Sequence, residues 1–216
     1  MRTTLFRVTA ALDVAAAAVG TPTARRVRSL TKAALMPVLG FSALRRTPGA
    51  RSRRAGTAAA GLALSWCGDV ALLRDDETAF VVGLGAFLGG HLAYGAGFGA
   101  AGGVDGLRSN PLLAVPALAV AGAGAAALLP VAGSLRGPVA GYIGVITAMT
   151  ALAIGTRRPT AIAGAALFCA SDLLLGLSRF RMLPLPKSVV HAVVMTTYSA
   201  AQELIVRSLL ESPGNG

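Results

Sequence analysis

Eight apolar runs bound what this chain can become. They lie at residues 4–20, 29–44, 56–73, 79–100, 111–130, 137–155, 160–177 and 188–210, separated by short stretches of Arg, Pro and Gly. About 20 apolar residues in an α-helix cross the hydrocarbon core of a bilayer. A backbone in lipid must satisfy its hydrogen bonds internally, and helices do so. Little is left outside the runs. The chain is 54% hydrophobic and only 13% charged, with a mean hydropathy of +0.66, whereas a soluble domain carries about 25% charged residues. The spacing predicts an all-α polytopic membrane bundle of about eight transmembrane helices, a single integral membrane domain over 1–216. Pro111, Pro138 and Pro159 fall where a first helical turn tolerates proline.

The net charge of +11 is not spread as a nucleic-acid binder would spread it. Arginines cluster between the runs, as Arg25, Arg26 and Arg28, then Arg45, Arg46, Arg51, Arg53 and Arg54, then Arg157 and Arg158. That pattern suits loops facing anionic lipid headgroups. With 5% aromatic residues there is no platform for stacking bases, so nucleic acid is excluded as a partner and membrane lipid is expected instead. Counted over alternate loops with Lys32 set aside, Lys and Arg number 11 on the side of the termini and 8 on the other. This favours a cell-membrane protein with both termini cytoplasmic. The N-terminal stretch imitates a secretory signal, but Asp13 in its centre argues for a retained first helix. Cys67 and Cys169 lack metal-site or redox spacing and read as small buried hydrophobes.

Two stretches, "GLALSWCGDVALL" from Gly61 and "GAALFCASDLLLG" from Gly164, each place an aspartate eight residues after a glycine. Aligning them pairs Gly61 with Gly164, Leu64 with Leu167 and Asp69 with Asp172. Each aspartate run is followed by one with a His and a Tyr, His91 and Tyr94 and then His191 and Tyr198. The expectation is two parallel four-helix repeats, 1–103 and 111–210, with both aspartates at one central cavity. Gly85 with Gly89 and Gly95 with Gly99, each pair four apart, predict a close helix–helix face rather than a phosphate loop.

A carboxyl in the bilayer core costs at least about 2.5–3.5 kcal/mol, so it is kept where it faces a cavity and acts. Ser65 lies one turn before Asp69, and Phe168 one turn before Asp172. Unequal surroundings would separate the two carboxyls into an acid and a base. His91 and Tyr94 share one helix face, and Tyr198 and Gln202 share another. Lys32 and Tyr142 are weaker additions. Glu203 and Arg207 read as a surface i,i+4 pair, and His191 as interfacial. No GxSxG elbow is present, and no spacing calls for a metal or other cofactor.

These residues carry a resemblance. "LSWCGDVALL", "GLGAFLGGHLAYGAGF", "LFCASDLLLGLSRF" and "TTYSAAQELIVRSL" resemble the YhhN-like lysoplasmalogenase family of multispanning membrane proteins. The matching motif positions are Gly68 and Asp69; Gly83, Phe87, His91 and Tyr94; Ser171 and Asp172 with Arg179 and Phe180; and Thr197, Tyr198, Ala201 and Gln202. An early lysine matches at Lys32 and a tyrosine of the sixth run at Tyr142. The resemblance implies hydrolysis of the vinyl ether of lysoplasmalogen, or of a related ether lysolipid, to a fatty aldehyde and a glycerophospho-base. On that reading Asp69, Asp172 and His91 are catalytic. Tyr94, Tyr198, Gln202, Lys32 and Tyr142 bind the lysophospholipid substrate. A different class, a proton-coupled transporter or lipid-binding protein using the same Asp pair, fits the intramembrane acids equally.

Overall fold

The computed structural model describes residues 3–19, 21–44, 52–74 and 76–211. Arg45, Arg46, Arg51 and Ser212 lie outside them. The described residues form α1 (Thr4–Val19), α2 (Pro22–Leu44), α3 (Arg53–Ala71), α4 (Glu77–Phe98), the short α5 (Val104–Ser109), α6 (Val115–Leu128), α7 (Arg136–Gly155), α8 (Pro159–Arg179) and α9 (Lys187–Leu210). The eight long helices are those the apolar runs predict.

Local chemistry sets where they begin and bend. Ser52 caps α3 by accepting from Ala55 N, and Asp76 caps α4 by accepting from Ala79 N, each satisfying an N–H that has no helical partner. Pro159 opens α8. Pro37 lies inside α2 and has no N–H for the carbonyl of Ala33. Trp66 of α3 supplies the missing donor, its Nε1–H bonding Ala33 O at 2.8 Å. At the far end of α4 the chain widens over Gly99–Gly103, where Gly102 takes φ 97° and turns the run into α5.

α9 runs through the middle, against α8, α1 and α3, with α4 and α2 also touching it. α3 and α4 pack along a glycine face, though not the one expected. Gly83 and Gly90 of α4 meet Leu72 and Ser65 of α3, while Gly61 and Gly68 of α3 seat the rings of Tyr94 and Phe87. Gly89 and Gly95 do meet neighbours, but Gly85 faces open space. The α3–α4 seam follows seven-residue steps on both helices, which the four-residue series did not predict. Two other runs touch backbone to backbone: a Cβ on Gly106 would strike the Gly155 carbonyl, and one on Gly155 would strike that of Gly103.

Among the described residues, five segments are long and apolar enough to cross a membrane by length and composition: Glu77–Ser109, Pro111–Leu128, Gly133–Gly155, Pro159–Arg179 and Lys187–Leu210. α1 and α2 turn apolar side chains outward as well, with Leu5, Val8, Leu12, Leu30 and Phe41 all exposed. α2 is less apolar because it carries Arg25, Arg26, Arg28 and Lys32, yet Arg28 and Lys32 line a cavity within the bundle. The chain is an integral membrane protein.

Two side-chain expectations are corrected. Cys67 is exposed on the outer face and Cys169 is partly buried, both as free thiols. Glu203 does not serve as a surface partner of Arg207; it accepts from Thr3 at 2.7 Å and pairs with Arg7 of α1 at 2.7 Å, while Arg207 pairs with Glu211. The helix-on-helix arrangement brings α1 to Glu203, a partner that spacing within α9 could not reveal.

Overpacking a tight contact costs about 1–3 kcal/mol, and more where the struck atom is backbone. Gly155→Ala should therefore lower the thermal unfolding midpoint of the detergent-solubilised protein, whereas Gly85→Ala should leave it unchanged. Equal midpoints for the two variants would contradict the close α5–α7 contact.

Candidate active site

A cavity of about 560 Å³ opens where α3 and α8 end and α9 begins. Asp69, Asp172, Lys32, Tyr198 and Phe87 line it inside, and Arg28, Arg74, Arg179, Arg181, Lys187 and His191 are among its other lining residues. Both aspartates thus face one chamber.

Each carboxyl is held by two side chains from other helices. Asp69 of α3 accepts from the Tyr198 hydroxyl of α9 at 2.7 Å, and its other oxygen lies 3.7 Å from Lys32 Nζ of α2. Asp172 of α8 accepts from the Tyr142 hydroxyl of α7, and its Oδ2 lies 3.4 Å from His91 Nε2 of α4. The expected neighbours one turn away, Ser65 and Phe168, do not supply these partners. A neighbour along a helix shares its face but need not point at the same atom.

The imidazole has a defined proton. His91 Nδ1 sits 2.6 Å from the carbonyl of Phe87, which can only accept, so Nδ1 carries hydrogen. Nε2 is buried 3.4 Å from Asp172 Oδ2 without a hydrogen bond among the described residues. Around this pair the rings of Phe87, Phe168 and Tyr198 pack edge to face, and Phe168 meets His91 at 4.5 Å between centroids. This aromatic wedge lies between the Asp69 and Asp172 pairs and excludes solvent from behind them. Tyr94 and Gln202 are fully buried one layer further in, where the Tyr94 hydroxyl donates to Gln202 Oε1. They do not line the cavity. Among the described residues no three His, Cys, Asp or Glu side chains converge as a metal-ligand group would.

Beside the polar cavity lies a small apolar slot of about 60 Å³, lined by Leu84, Leu128, Val139, Ile143 and Phe180 together with Tyr142. Leu72, Phe80, Phe87, Leu175 and Asp172 border both spaces. Asp172 therefore stands where a small apolar space meets the charged cavity.

Some of this machinery escaped the sequence reading. His191, expected at the interface, lines the cavity with Arg28 and Arg181. Asp13, noted only as incompatible with a cleaved signal, is fully buried and accepts from Thr31 at 2.7 Å, one residue from Lys32. The signal available was the same as for the other aspartates: an acid inside an apolar run.

Comparison with known proteins bears on this site. Lysoplasmalogenase TMEM86A of Bos taurus is 35% identical over 163 residues, covering 70% of this chain and 64% of the relative, so the match spans less than two thirds of the relative's length. No solved structure matches. The sequence pattern of the YhhN family matches residues 27–209, which include Lys32, both aspartates, His91, Tyr142, Tyr198 and Gln202. The chain belongs to the YhhN family.

Proposed function

We propose that the protein hydrolyses the vinyl ether bond of lysoplasmalogen, or of a related ether lysolipid, inside the membrane. The observation that carries this reading is the position of Asp172 at the junction of the apolar slot and the charged cavity. A vinyl ether occupies the same junction in its own molecule, between an alkyl chain and a polar glycerophospho-base. The bovine relative's name points to the same substrate class.

The chemistry uses the two carboxyls in different states. The Asp172–His91 pair, holding one shared proton, delivers it to the β carbon of the vinyl ether; the π electrons form the new C–H bond and an oxocarbenium ion remains. Water adds to the α carbon, the one bonded to the ether oxygen, as its proton passes to Asp69, a carboxylate matched by the Lys32 ammonium. The hemiacetal then gives its hydroxyl proton back to Asp172. Its C–O bond breaks to release the fatty aldehyde, and Asp69 protonates the departing glycerol oxygen. Both carboxyls return to their starting states. Tyr142 and Tyr198 orient the carboxyls, and Lys32 and Tyr198 reach the substrate from the cavity wall. Tyr94 and Gln202 hold α4 and α9 in register from beneath.

The partner pattern also supports the reading of one membrane domain built from two parallel four-helix halves, 1–103 and 111–210. Each aspartate takes one partner from the second helix of its own half, Lys32 or Tyr142, and one from the fourth helix of the other, Tyr198 or His91. The 11-to-8 bias of basic residues supports cytoplasmic termini in the cell membrane. The cavity mouth then faces the opposite side, since α9 begins at the mouth and its far end holds Thr3 through Glu203.

The deciding assay is aldehyde release from lysoplasmalogen by purified protein. A carrier would move the lipid across liposomes without product, and that outcome would replace the hydrolase reading. Asp172→Asn should cut turnover by about 10²–10⁴-fold, the range for losing a general acid, with little change in thermal midpoint because Asn can still accept from Tyr142. Asp69→Asn should cut turnover similarly but also lower the midpoint, since it leaves the Lys32 ammonium buried without its partner. Adding Lys32→Met to Asp69→Asn should restore the midpoint and not the activity. A double variant no more stable than Asp69→Asn would contradict the ion pair.

Single cysteines at Thr78 and Ser212, in a background with Cys67 and Cys169 replaced, should label from opposite sides of intact cells, Thr78 from outside. Labelling of both from one side would overturn the proposed topology.

A further inference from the structure

We propose that Arg181 is a substrate-docking residue, held in a left-handed backbone conformation so that its guanidinium meets the phosphodiester of a lysolipid headgroup entering the cavity. The inference rests on the hydrolase reading for the identity of the lipid, and on independent geometry for the site.

α8 ends in a left-handed cap. Arg181 N donates to Ser178 O at 3.0 Å and Met182 N to Leu177 O at 2.9 Å, the paired bonds of that motif. The residue between them must take positive φ, and Arg181 does so at 56°. Glycine usually holds this position because a Cβ is strained there. Arg181 takes this conformation at the lining of the cavity.

The cavity favours an anion. Among the described residues its lining counts six Lys and Arg side chains against three aspartates. Inside, Lys32 faces Asp69, and at the mouth Arg74 pairs with Asp76 at 2.9 Å. Arg179 is fixed over the ring of Phe80 at 4.9 Å. The Nε of Arg28 is buried with no hydrogen-bond partner among the described residues, a donor that lacks an acceptor. A phosphodiester supplies acceptor oxygens in the planar arrangement that guanidinium groups match. In a lysolipid it lies a glycerol's length from the ether, as these cations lie on the polar side of Asp172.

The chain contains its own control. Arg157 also has φ 56°, at the end of α7, and like Arg181 it is exposed, but it bonds Ser109 Oγ at 3.4 Å and does not line the cavity.

The experiment compares Arg181→Gly and Arg157→Gly in the full-length detergent-purified protein. It measures the thermal midpoint and the binding of a saturated 1-O-alkyl lysophosphatidylcholine, which has no vinyl bond to cleave. Both variants should unfold at a higher temperature than the parent, because each relieves the same strain. Only Arg181→Gly should weaken binding of the ether lysolipid, by about tenfold, while leaving binding of the 1-O-alkylglycerol without phosphate unchanged. Parent-like lysolipid affinity in Arg181→Gly would overturn the proposal, as would an equal loss for both ligands. Displacement of the lysolipid by millimolar inorganic phosphate, lost in Arg181→Gly, would assign the site to free phosphate instead and overturn the lipid source. Because binding is read without turnover, failure here is distinguishable from failure of the hydrolase reading: a protein that binds but releases no aldehyde loses only the latter.

Discussion

Two carboxyl groups inside a lipid-embedded bundle must each find a partner, and the rest of the architecture follows from how they do. A charge left alone in such a setting is expensive, and removing one member of a buried pair is more damaging than never having the pair. Asp69 is matched by Lys32 and Tyr198, and Asp172 by Tyr142 and His91. These six residues come from α2, α3, α4, α7, α8 and α9. Satisfying two side chains therefore ties together six helices, and no one of them can shift without uncoupling a carboxyl.

The two pairs differ in their partners. The carbonyl of Phe87 claims the Nδ1 proton of His91, and Nε2 lies 3.4 Å from Asp172. At Asp69 the partner is Lys32, with Nζ 3.7 Å away. In the proposed mechanism the first site offers a proton and the second receives one. The aromatic wedge of Phe87, Phe168 and Tyr198 keeps their rear walls dry, and a low-dielectric wall strengthens each electrostatic contact. Glycine makes the wedge possible: Gly68 leaves the hollow into which Phe87 fits, and Gly61 does the same for Tyr94 in the layer beneath.

The proposed headgroup site adds a third level. Strain at Arg181 is local, while its proposed benefit is collective, since one more cation joins a mouth already rich in them. That arrangement suits a substrate with an oily tail and an anionic head, because Asp172 borders both the apolar slot and the charged cavity. The same duality explains why α2 looks too polar for lipid: Arg28 and Lys32 belong to the cavity, and the outer face with Leu30 and Phe41 belongs to the bilayer.

Read alone, the chain determined its eight long helices and their approximate limits, and it singled out the aspartates, His91 and, more weakly, Lys32 and Tyr142 as candidate site residues. Those are local properties: hydropathy, helix-capping chemistry and the cost of a polar atom in lipid act on each segment by itself. Which side chains meet was decided only by tertiary structure. Spacing along a helix paired Glu203 with Arg207 and set Ser65 beside Asp69, but packing gave Glu203 to Thr3 and Arg7 and gave Asp69 to Lys32 and Tyr198. It selected Gly83 and Gly90 for the α3–α4 seam and left Gly85 outside. It also carried Arg28, Arg181 and His191 to the cavity. The physical reason is that rotation and register of one helix against another depend on how knobs fill hollows across the bundle, and no single segment contains that information.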